Sequence, residues 1–178
     1  MKWLFILAII LYGFSSFAQG ERKHIRSGNK EFEKEKFEDS EVMYRKALEK
    51  KAESVDAAFN LGDALYKQEK YEEALRQFQL LASKVQDKEK LGHLYHNIGN
   101  SLLQSQKLEE SIEAYKEALR NNPSDMETKY NLAYAQSKLK EQQQQQQQNQ
   151  DQQDQNKDQQ DQDQQQQDQQ QQDQQQQD

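Results

Sequence analysis

The sequence predicts an all-α fold, a solenoid of about three helix pairs with a C-terminal capping helix and a disordered tail. Small residues recur at Gly28, Gly62 and Gly99, with spacings of 34 and 37 residues. Apolar and small residues follow each glycine at the same offsets, which is typical of a repeated helix pair. Residues 142–178, by contrast, contain no aliphatic or aromatic side chain. The fold is therefore expected to lie upstream of that segment.

The N-terminal segment is predicted to be a signal peptide over residues 1–18. One basic residue, Lys2, precedes about ten apolar residues, which is the layout of a secretory signal. Ser16 and Ala18 are small residues placed for cleavage before Gln19. The alternative is an uncleaved anchor, although the apolar run is short of the roughly 20 residues that span a bilayer. Either interpretation predicts an exported protein, periplasmic or envelope-associated after cleavage, or N-terminally membrane-anchored.

The repeat array is predicted to occupy residues 19–140. Its repeats cover about 21–54, 55–91 and 92–125, and a cap helix follows at 126–140. The three extra residues of the second spacing fall in the polar stretch 85–90, where a helix can lengthen or a loop can grow. The predicted helix pairs are 21–34 with 37–51, 55–68 with 71–86, and 90–105 with 108–121.

Each glycine is followed by landmark residues at fixed offsets, which fixes the phase of the repeats. Agreement at five separate positions is far stronger evidence than a glycine spacing alone. Nine residues on come Phe37, Tyr71 and Leu108; twelve on, Ser40, Ala74 and Ser111; sixteen on, Tyr44, Phe78 and Tyr115; nineteen on, Ala47, Leu81 and Ala118.

A half-repeat follows the third copy. Pro123 blocks continuation of the preceding helix, and residues 130–133 then repeat the helix opening with Ala133 in the glycine position. No second helix is predicted to follow, so this helix is expected to cover the last hydrophobic edge of the array. The residues predicted to have structural roles in the repeats are Gly28, Gly62, Ala74, Phe78, Gly99, Ser111, Tyr115, Ala118, Pro123 and Ala133.

The segment from Tyr95 to Pro123 resembles the tetratricopeptide repeat. Tyr95, Ile98, Gly99 and Leu102, closed by Pro123, follow the order of that motif. The resemblance covers residues 21–140 and implies a tetratricopeptide repeat solenoid. It also implies a right-handed superhelix whose concave groove binds a peptide or a partner domain without catalysis.

The tail is acidic and built mainly of glutamine. Of residues 142–178, 26 of 37 are Gln, and from Glu141 onward nine acids and one base give a charge of −8. The total is −7, so residues 1–140 carry about +1, which argues against a nucleic-acid partner. Such a segment buries too little apolar surface to order itself, so residues 141–178 are predicted to be disordered. It is expected to serve either as a solubilising appendage or as a tether or weak binding segment for a partner or the cell wall.

The sequence carries no recognisable active site. There are no cysteines, which excludes a thiolate metal site and a Cys nucleophile. No phosphate-binding loop, His-Glu-x-x-His or Gly-x-Ser-x-Gly motif is present. His93 and His96 are three residues apart on one helix, but a metal site needs further ligands, so groove lining is the favoured interpretation. No enzyme activity, cofactor or small-molecule substrate is predicted.

Functional residues are expected on the first helix of each pair, because those helices line the concave surface. An asparagine recurs two positions before each small residue, at Asn60, Asn97 and Asn131. Its amide is suited to an extended peptide backbone, although it is also a common surface residue of the repeat. The groove candidates are Asn29, Phe59, Asn60, Asp63, Tyr66, His93, His96, Asn97, Asn100, Tyr130, Asn131 and Tyr134.

The family resemblance also bears on the partner. One subclass of the family holds the carboxylate of chaperone tails with two asparagines and three basic residues. Asn29 and Asn60 match that clamp, but its basic positions are occupied by Ile25, His93 and Asn97, so the clamp is incomplete.

The plan of the whole chain, a signal, about three repeats and a Gln/Asp tail, resembles the tetratricopeptide component of the Bacteroides aerotolerance operon. This implies a scaffold for a membrane-associated complex with von Willebrand factor A-type membrane proteins. The alternative is a periplasmic chaperone-like or envelope-assembly factor that binds extended clients. The oligomeric state is not predicted.

Overall fold

The computed structural model describes residues 20–175, so the predicted signal peptide lies outside the described part. Every regular element from 20 to 175 is an α-helix, which confirms the all-α class. None of the helices in that range is both long and apolar enough to cross a membrane. The helices are α1 (20–32), α2 (Phe37–Lys50), α3 (Val55–Lys67), α4 (Tyr71–Ala82), α5 (Lys88–Gln104), α6 (Leu108–Asn121) and α7 (Met126–Gln175).

The chain divides into a repeat unit ending at Gln136 and a tail unit from Ser137 onward. In the repeat unit each helix packs on its neighbour in sequence, α2 on α3, α3 on α4, α4 on α5 and α5 on α6. Three pairs result, α1/α2, α3/α4 and α5/α6. This stacking of successive helix pairs is the predicted solenoid, because each pair contacts only its neighbours.

The three glycines allow the two helices of each pair to approach closely. A Cβ added to Gly28 would lie 2.5 Å from Cε1 of Tyr44, and one added to Gly99 would lie 2.5 Å from Cε1 of Tyr115. Gly62 has the same relation to the ring of Phe78. All three rings are at most 2% exposed. The aromatic residue sixteen positions after each glycine therefore packs directly on it.

The small residues twelve positions after each glycine lie on the second helix of the pair and likewise allow the two helices to approach closely. Ser40, Ala74 and Ser111 are fully buried. Ser111 also donates a hydrogen bond from Oγ to the carbonyl of Gly99 at 2.9 Å, which fastens α6 to α5. A larger side chain at these positions would separate the helices of its pair.

The turn inside each pair contains a residue that the sequence pattern did not mark. Glu35, Glu69 and Gln106 have φ values of 59°, 60° and 60°, and each lies seven residues after its glycine. The next residue closes the turn, as in the 3.0 Å hydrogen bond from the Lys70 amide to the Leu65 carbonyl. This is the Schellman arrangement that ends many helices, usually with glycine in the left-handed position.

The first helix of each later pair begins at a capping residue. The Ser54 hydroxyl accepts a hydrogen bond from the Ala57 amide, and the Asp87 carboxylate accepts one from the Lys90 amide. Asp125 caps α7 in the same way. Side-chain caps of this kind satisfy helix amides that have no partner in the helix. They fix where each repeat starts.

The three extra residues between the second and third repeats are divided between a loop and a helix. The predicted helix 71–86 ends at Ala82, where the Ser83 hydroxyl donates to the Leu80 carbonyl. The α5 helix then starts at Lys88 and spans 17 residues, against 13 in α3. The cap at Asp87 accounts for this early start, which lengthens α5 by about one turn.

A carboxylate bridges the first two repeats. Glu41 accepts hydrogen bonds from Arg45 on its own helix, at 2.7 and 3.0 Å, and from Gln68 and Lys70 at 2.9 and 3.0 Å. Burial works to raise its pKa, but these hydrogen bonds outweigh burial and lower the pKa of Glu41 to about 2. Glu41 therefore stabilises the interface between the repeats in its ionised form.

The prediction for Ala133 was wrong in its physical role. Ala133 occupies the glycine position of α7, yet it is exposed, while Thr128 and Ala135 are the buried residues there. The reason is that α7 continues as one helix, so no second helix folds back onto Ala133. Met126 and Tyr130, each 71% exposed, are also solvent-accessible on this helix.

The tail unit is helical as far as Gln175 in the structure, beyond the predicted end of the cap at 140. Glutamine is a good helix former, and no proline or glycine follows Pro123 to end the helix. Side chains 141–150 and 152 are all exposed. A helix that buries no side chain is marginal in water, which is consistent with the predicted disorder of this segment.

Candidate functional site

The predicted groove residues line two adjoining clefts of the repeat unit. The smaller cleft, of about 240 Å³, contains Asn29 and Asn60. The larger cleft, of about 760 Å³, contains the other candidates. Asp63 and Phe32 line both clefts, so the two form one continuous groove. The residues predicted for the large cleft and found there are Asp63, Tyr66, His93, His96, Asn97, Asn100, Tyr130, Asn131 and Tyr134.

Several groove residues were not among the predicted candidates. Glu33, Lys67 and Gln104 each lie five residues after a glycine and line the clefts. The repeat phase that located the asparagines would have found these side chains as well. Lys67 and Gln104 lie about two turns after Asn60 and Asn97 on the same helices, and Glu33 follows the end of α1. The remaining additional lining residues are Phe32, Leu103 and Glu127, with Tyr44 in the small cleft. Phe59, a predicted candidate, lines the large cleft.

The recurring asparagines form a ladder of hydrogen bonds between repeats. Each donates from Nδ2 to the side-chain oxygen of the residue that follows the preceding glycine. Asn60 donates to Asn29 at 3.0 Å, Asn97 to Asp63 at 3.1 Å, and Asn131 to Asn100 at 3.0 Å. The asparagine at this position therefore fixes the register between neighbouring repeats, a role that the sequence alone did not indicate.

Asn100 is the centre of the network at the C-terminal end of the groove. Its Oδ1 accepts from the Tyr115 hydroxyl at 2.7 Å as well as from Asn131. Its Nδ2 lies 2.9 Å from Nε2 of His96 and donates to it. Both polar atoms of the Asn100 amide group therefore have hydrogen-bond partners within the protein. The main role of this residue is to hold the groove side chains in place.

His96 ties α5 to the start of α7. The Thr128 hydroxyl donates to Asp125 Oδ2 at 2.6 Å, so its oxygen accepts from Nδ1–H of His96 at 2.7 Å. Nε2 accepts from Asn100, which requires the neutral imidazole. Burial lowers the pKa of His96, against the opposing charges of Glu127 and Asp125. His96 is 8% exposed, whereas His93 is exposed.

No group of three or more potential metal ligands occurs among the described residues. Glu127 Oε1 lies 3.5 Å from His96 Nε2, at the edge of the large cleft. Its position makes it an acidic group of the groove wall.

Asp63 lies where the two clefts meet and is the most strongly perturbed carboxylate of the groove. Burial raises its pKa to about 7, and the positive charge of Lys67, one turn along α3, offsets this only in part. Among the described residues it accepts one side-chain hydrogen bond, from Asn97. Within that same part of the chain, no lysine or arginine lies within ion-pair distance of it.

Two family models match the repeat unit. A model described as tetratricopeptide repeat matches residues 26–87, and a model described as TPR repeat matches residues 99–140. Together they cover more than half of the chain. A search of curated proteins gave no match.

Solved structures with similar folds contain the same repeat. The TPR2AB domain of yeast Sti1, in a pHSP90 complex, is 22% identical with a TM-score of 0.63, covering 70% of this chain and 49% of that one. The chain thus spans about half the length of that structure. The first TPR of Spaghetti (RPAP3), bound to an HSP90 peptide, is 22% identical with a TM-score of 0.63, covering 68% and 94%. MamA from Desulfovibrio magneticus RS-1 is 17% identical with a TM-score of 0.63, covering 67% and 66%. At these identities the likeness shows the fold.

Proposed function

Because this chain belongs to the tetratricopeptide repeat family, we propose that it is a non-catalytic scaffold whose groove binds an extended segment of another protein. The observation that carries the proposal is the convergence of polar and aromatic side chains from α1, α3, α5 and α7 on one continuous groove. Grooves that mix aromatic surface with a few fixed polar groups are suited to binding peptides.

The groove supplies both contact area and hydrogen-bonding groups. Tyr130 is 71% and Tyr134 46% exposed on its wall, where they offer large, stiff surfaces to a partner. The ladder asparagines point their amide groups along the same groove, each with its Nδ2 already fixed by the neighbouring repeat. A preorganised amide oxygen accepts from a peptide N–H with little loss of side-chain entropy.

The partner that we propose is a membrane-associated protein outside the cytoplasm. The N-terminal charge and apolar pattern support export, and the Gln/Asp tail completes a plan that resembles BatC of the aerotolerance (Bat) operon. On that resemblance, the bound segment would belong to a complex containing von Willebrand factor A-type membrane proteins. The role in oxygen tolerance would be indirect, because the chain has no cysteine for redox chemistry.

A second candidate function is a periplasmic chaperone-like or envelope-assembly factor. The same observation supports it, since backbone-directed asparagines and exposed tyrosines suit many extended clients as well as one partner. The two functions differ in the number of proteins bound.

The experiment is an affinity capture from envelope extract of the native host. It compares the wild-type chain with Tyr130→Ala in the groove and with Leu80→Ala, an apolar residue 56% exposed outside it. Both substitutions remove exposed apolar surface, so neither should unfold the repeats. We expect one membrane-associated complex to be captured by the wild type and by Leu80→Ala, and to be reduced for Tyr130→Ala.

A broad set of unfolded clients with the same dependence on Tyr130 would favour the chaperone-like function. Capture that is equal for all three proteins would contradict both functions, because the groove would then play no part in binding.

A further inference from the structure

The three repeats present the same side-chain position to the groove, but the middle repeat is chemically different. The position after each glycine is Asn29, Asp63 and Asn100. In the outer two repeats it is a neutral amide, and in the middle one it is a carboxylic acid. Each accepts one hydrogen bond from the ladder asparagine of the next repeat. The three oxygens can therefore be compared directly.

The outer repeats supply a second donor to this oxygen and the middle repeat does not. The Tyr44 hydroxyl donates to Asn29 at 2.9 Å, and the Tyr115 hydroxyl donates to Asn100 at 2.7 Å. The equivalent residue of the middle repeat is Phe78, which packs on Gly62 as the tyrosines pack on their glycines but has no hydroxyl. Asp63 thus has more acceptor capacity than either asparagine and one donor fewer.

The surroundings of Asp63 are suited to a cationic donor from a ligand. Three carboxylates line the joined clefts, Glu33, Asp63 and Glu127, whereas Lys67 is the one lysine or arginine among the described lining residues. Phe59 and Tyr66 lie in the same cleft as Asp63. Aromatic rings near a carboxylate favour an ammonium or guanidinium group, because both attract positive charge. An acidic segment would be repelled by the same surface.

We propose, resting on the groove binding proposed above, that Asp63 is the subsite for a lysine or arginine side chain of the bound segment. The cation donates to the Asp63 carboxylate, whose Oδ1 accepts from Asn97 and which lacks the tyrosine donor of the outer repeats because Phe78 has no hydroxyl. The basic group passes between the clefts at the centre of the groove, and the ladder asparagines hold the backbone on either side of it. The preferred partner segment is therefore basic, in contrast to the acidic tail that a complete carboxylate clamp would hold.

The site also makes binding dependent on pH. With the pKa of Asp63 raised to about 7, a cation that requires the ionised form binds about tenfold more tightly at pH 8 than at pH 6. Other groups near the groove are Glu33 after α1, Tyr44 on α2, Lys67 on α3, His93 and His96 on α5, and Glu127 on α7. Protonation of His96 would also weaken cation binding at low pH, so a variant must separate its effect from that of Asp63.

The test measures the affinity of the purified full chain for three end-blocked peptides that alternate tyrosine with lysine, glutamine or glutamate. The variant is Asp63→Asn, which restores the side chain of the outer repeats and keeps an acceptor for Asn97. The matched control is Asp56→Asn, which removes the same charge from an exposed position on the same helix. Far-UV circular dichroism checks that both variants remain folded.

We expect the lysine peptide to bind most tightly and the glutamate peptide least. Asp63→Asn should weaken binding of the lysine peptide by about tenfold at pH 8, as for loss of a charged hydrogen bond. It should also reduce the increase in affinity for that peptide between pH 6 and pH 8. Asp56→Asn should change neither. Equal affinity for the three peptides, or no effect of Asp63→Asn, would overturn the basic subsite and leave groove binding intact. Failure of every peptide to bind would count against both proposals.

Discussion

A glycine packs directly on an aromatic ring in each helix pair, and Gly99→Ala tests this contact in the third pair. The added Cβ would lie 2.5 Å from Cε1 and 2.6 Å from Cδ1 of Tyr115, about 1 Å inside an ordinary carbon contact. Tyr115 is fully buried and its hydroxyl is held by Asn100, so the ring has little room to move. We therefore expect the α5/α6 pair to be forced apart.

The size of the effect follows from three contributions. Overpacking of this kind costs about 1–3 kcal/mol, and loss of the Tyr115–Asn100 hydrogen bond costs about 1 kcal/mol more. Alanine is a better helix former than glycine, which offsets about 1 kcal/mol of this destabilisation. The net expectation is a loss of about 2 kcal/mol, or a melting temperature lower by about 8 °C. Helix propensity alone would predict the opposite sign.

The assay is thermal and urea unfolding followed by far-UV circular dichroism. Gly20→Ala is the control, because its Cβ would lie 3.7 Å from Cγ of Lys50, an ordinary contact. It should leave stability unchanged or slightly raised. If Gly99→Ala is as stable as the wild type, the proposed packing of glycine on Tyr115 is wrong.

Three further predictions concern the turns, the first interface and the tail. Glu69→Gly should stabilise the chain by about 0.5–1 kcal/mol in urea unfolding, because φ is 60° there; a loss of stability would contradict the left-handed turn. Glu41 has a lowered pKa, so its contribution should be complete above pH 4.5 and be lost as the pH falls towards 2. Glu41→Gln should flatten stability across that window, and an unchanged pH profile would refute the bridge. Removing residues 141–178 should leave the melting temperature unchanged, since their described side chains are exposed; a lower value would show that the tail packs on the repeats.

The helix pairs were predictable because packing demands recur at fixed offsets. Gly28, Gly62 and Gly99 each face an aromatic ring. Because this contact requires a small residue and a large one at a fixed spacing, it can be recognised in the sequence. The turn residues show no comparable sequence pattern. Glu35, Glu69 and Gln106 are polar residues in a conformation usually given to glycine, so residue type did not reveal them.

The repeat spacing predicted which residues line the groove, but only the structure shows which hydrogen bonds they form. The groove asparagines recur in the sequence, yet their hydrogen bonds join residues 31 or 34 positions apart. The exposed Ala133 shows a second limit, since a residue in the glycine position packs on nothing when, as predicted, no second helix follows it. The difference between Phe78 and the two tyrosines became meaningful only once their hydroxyls were seen to reach the groove.

We propose that the groove of the repeat unit holds a segment of a membrane-associated protein. The most direct measurement places a photoreactive phenylalanine analogue at Tyr130 or at Leu80 in living cells and identifies the cross-linked protein. The groove position should give a discrete adduct with a membrane-associated protein, and the Leu80 position should give none. Adducts of equal yield from both positions, or none from Tyr130, would contradict the claim.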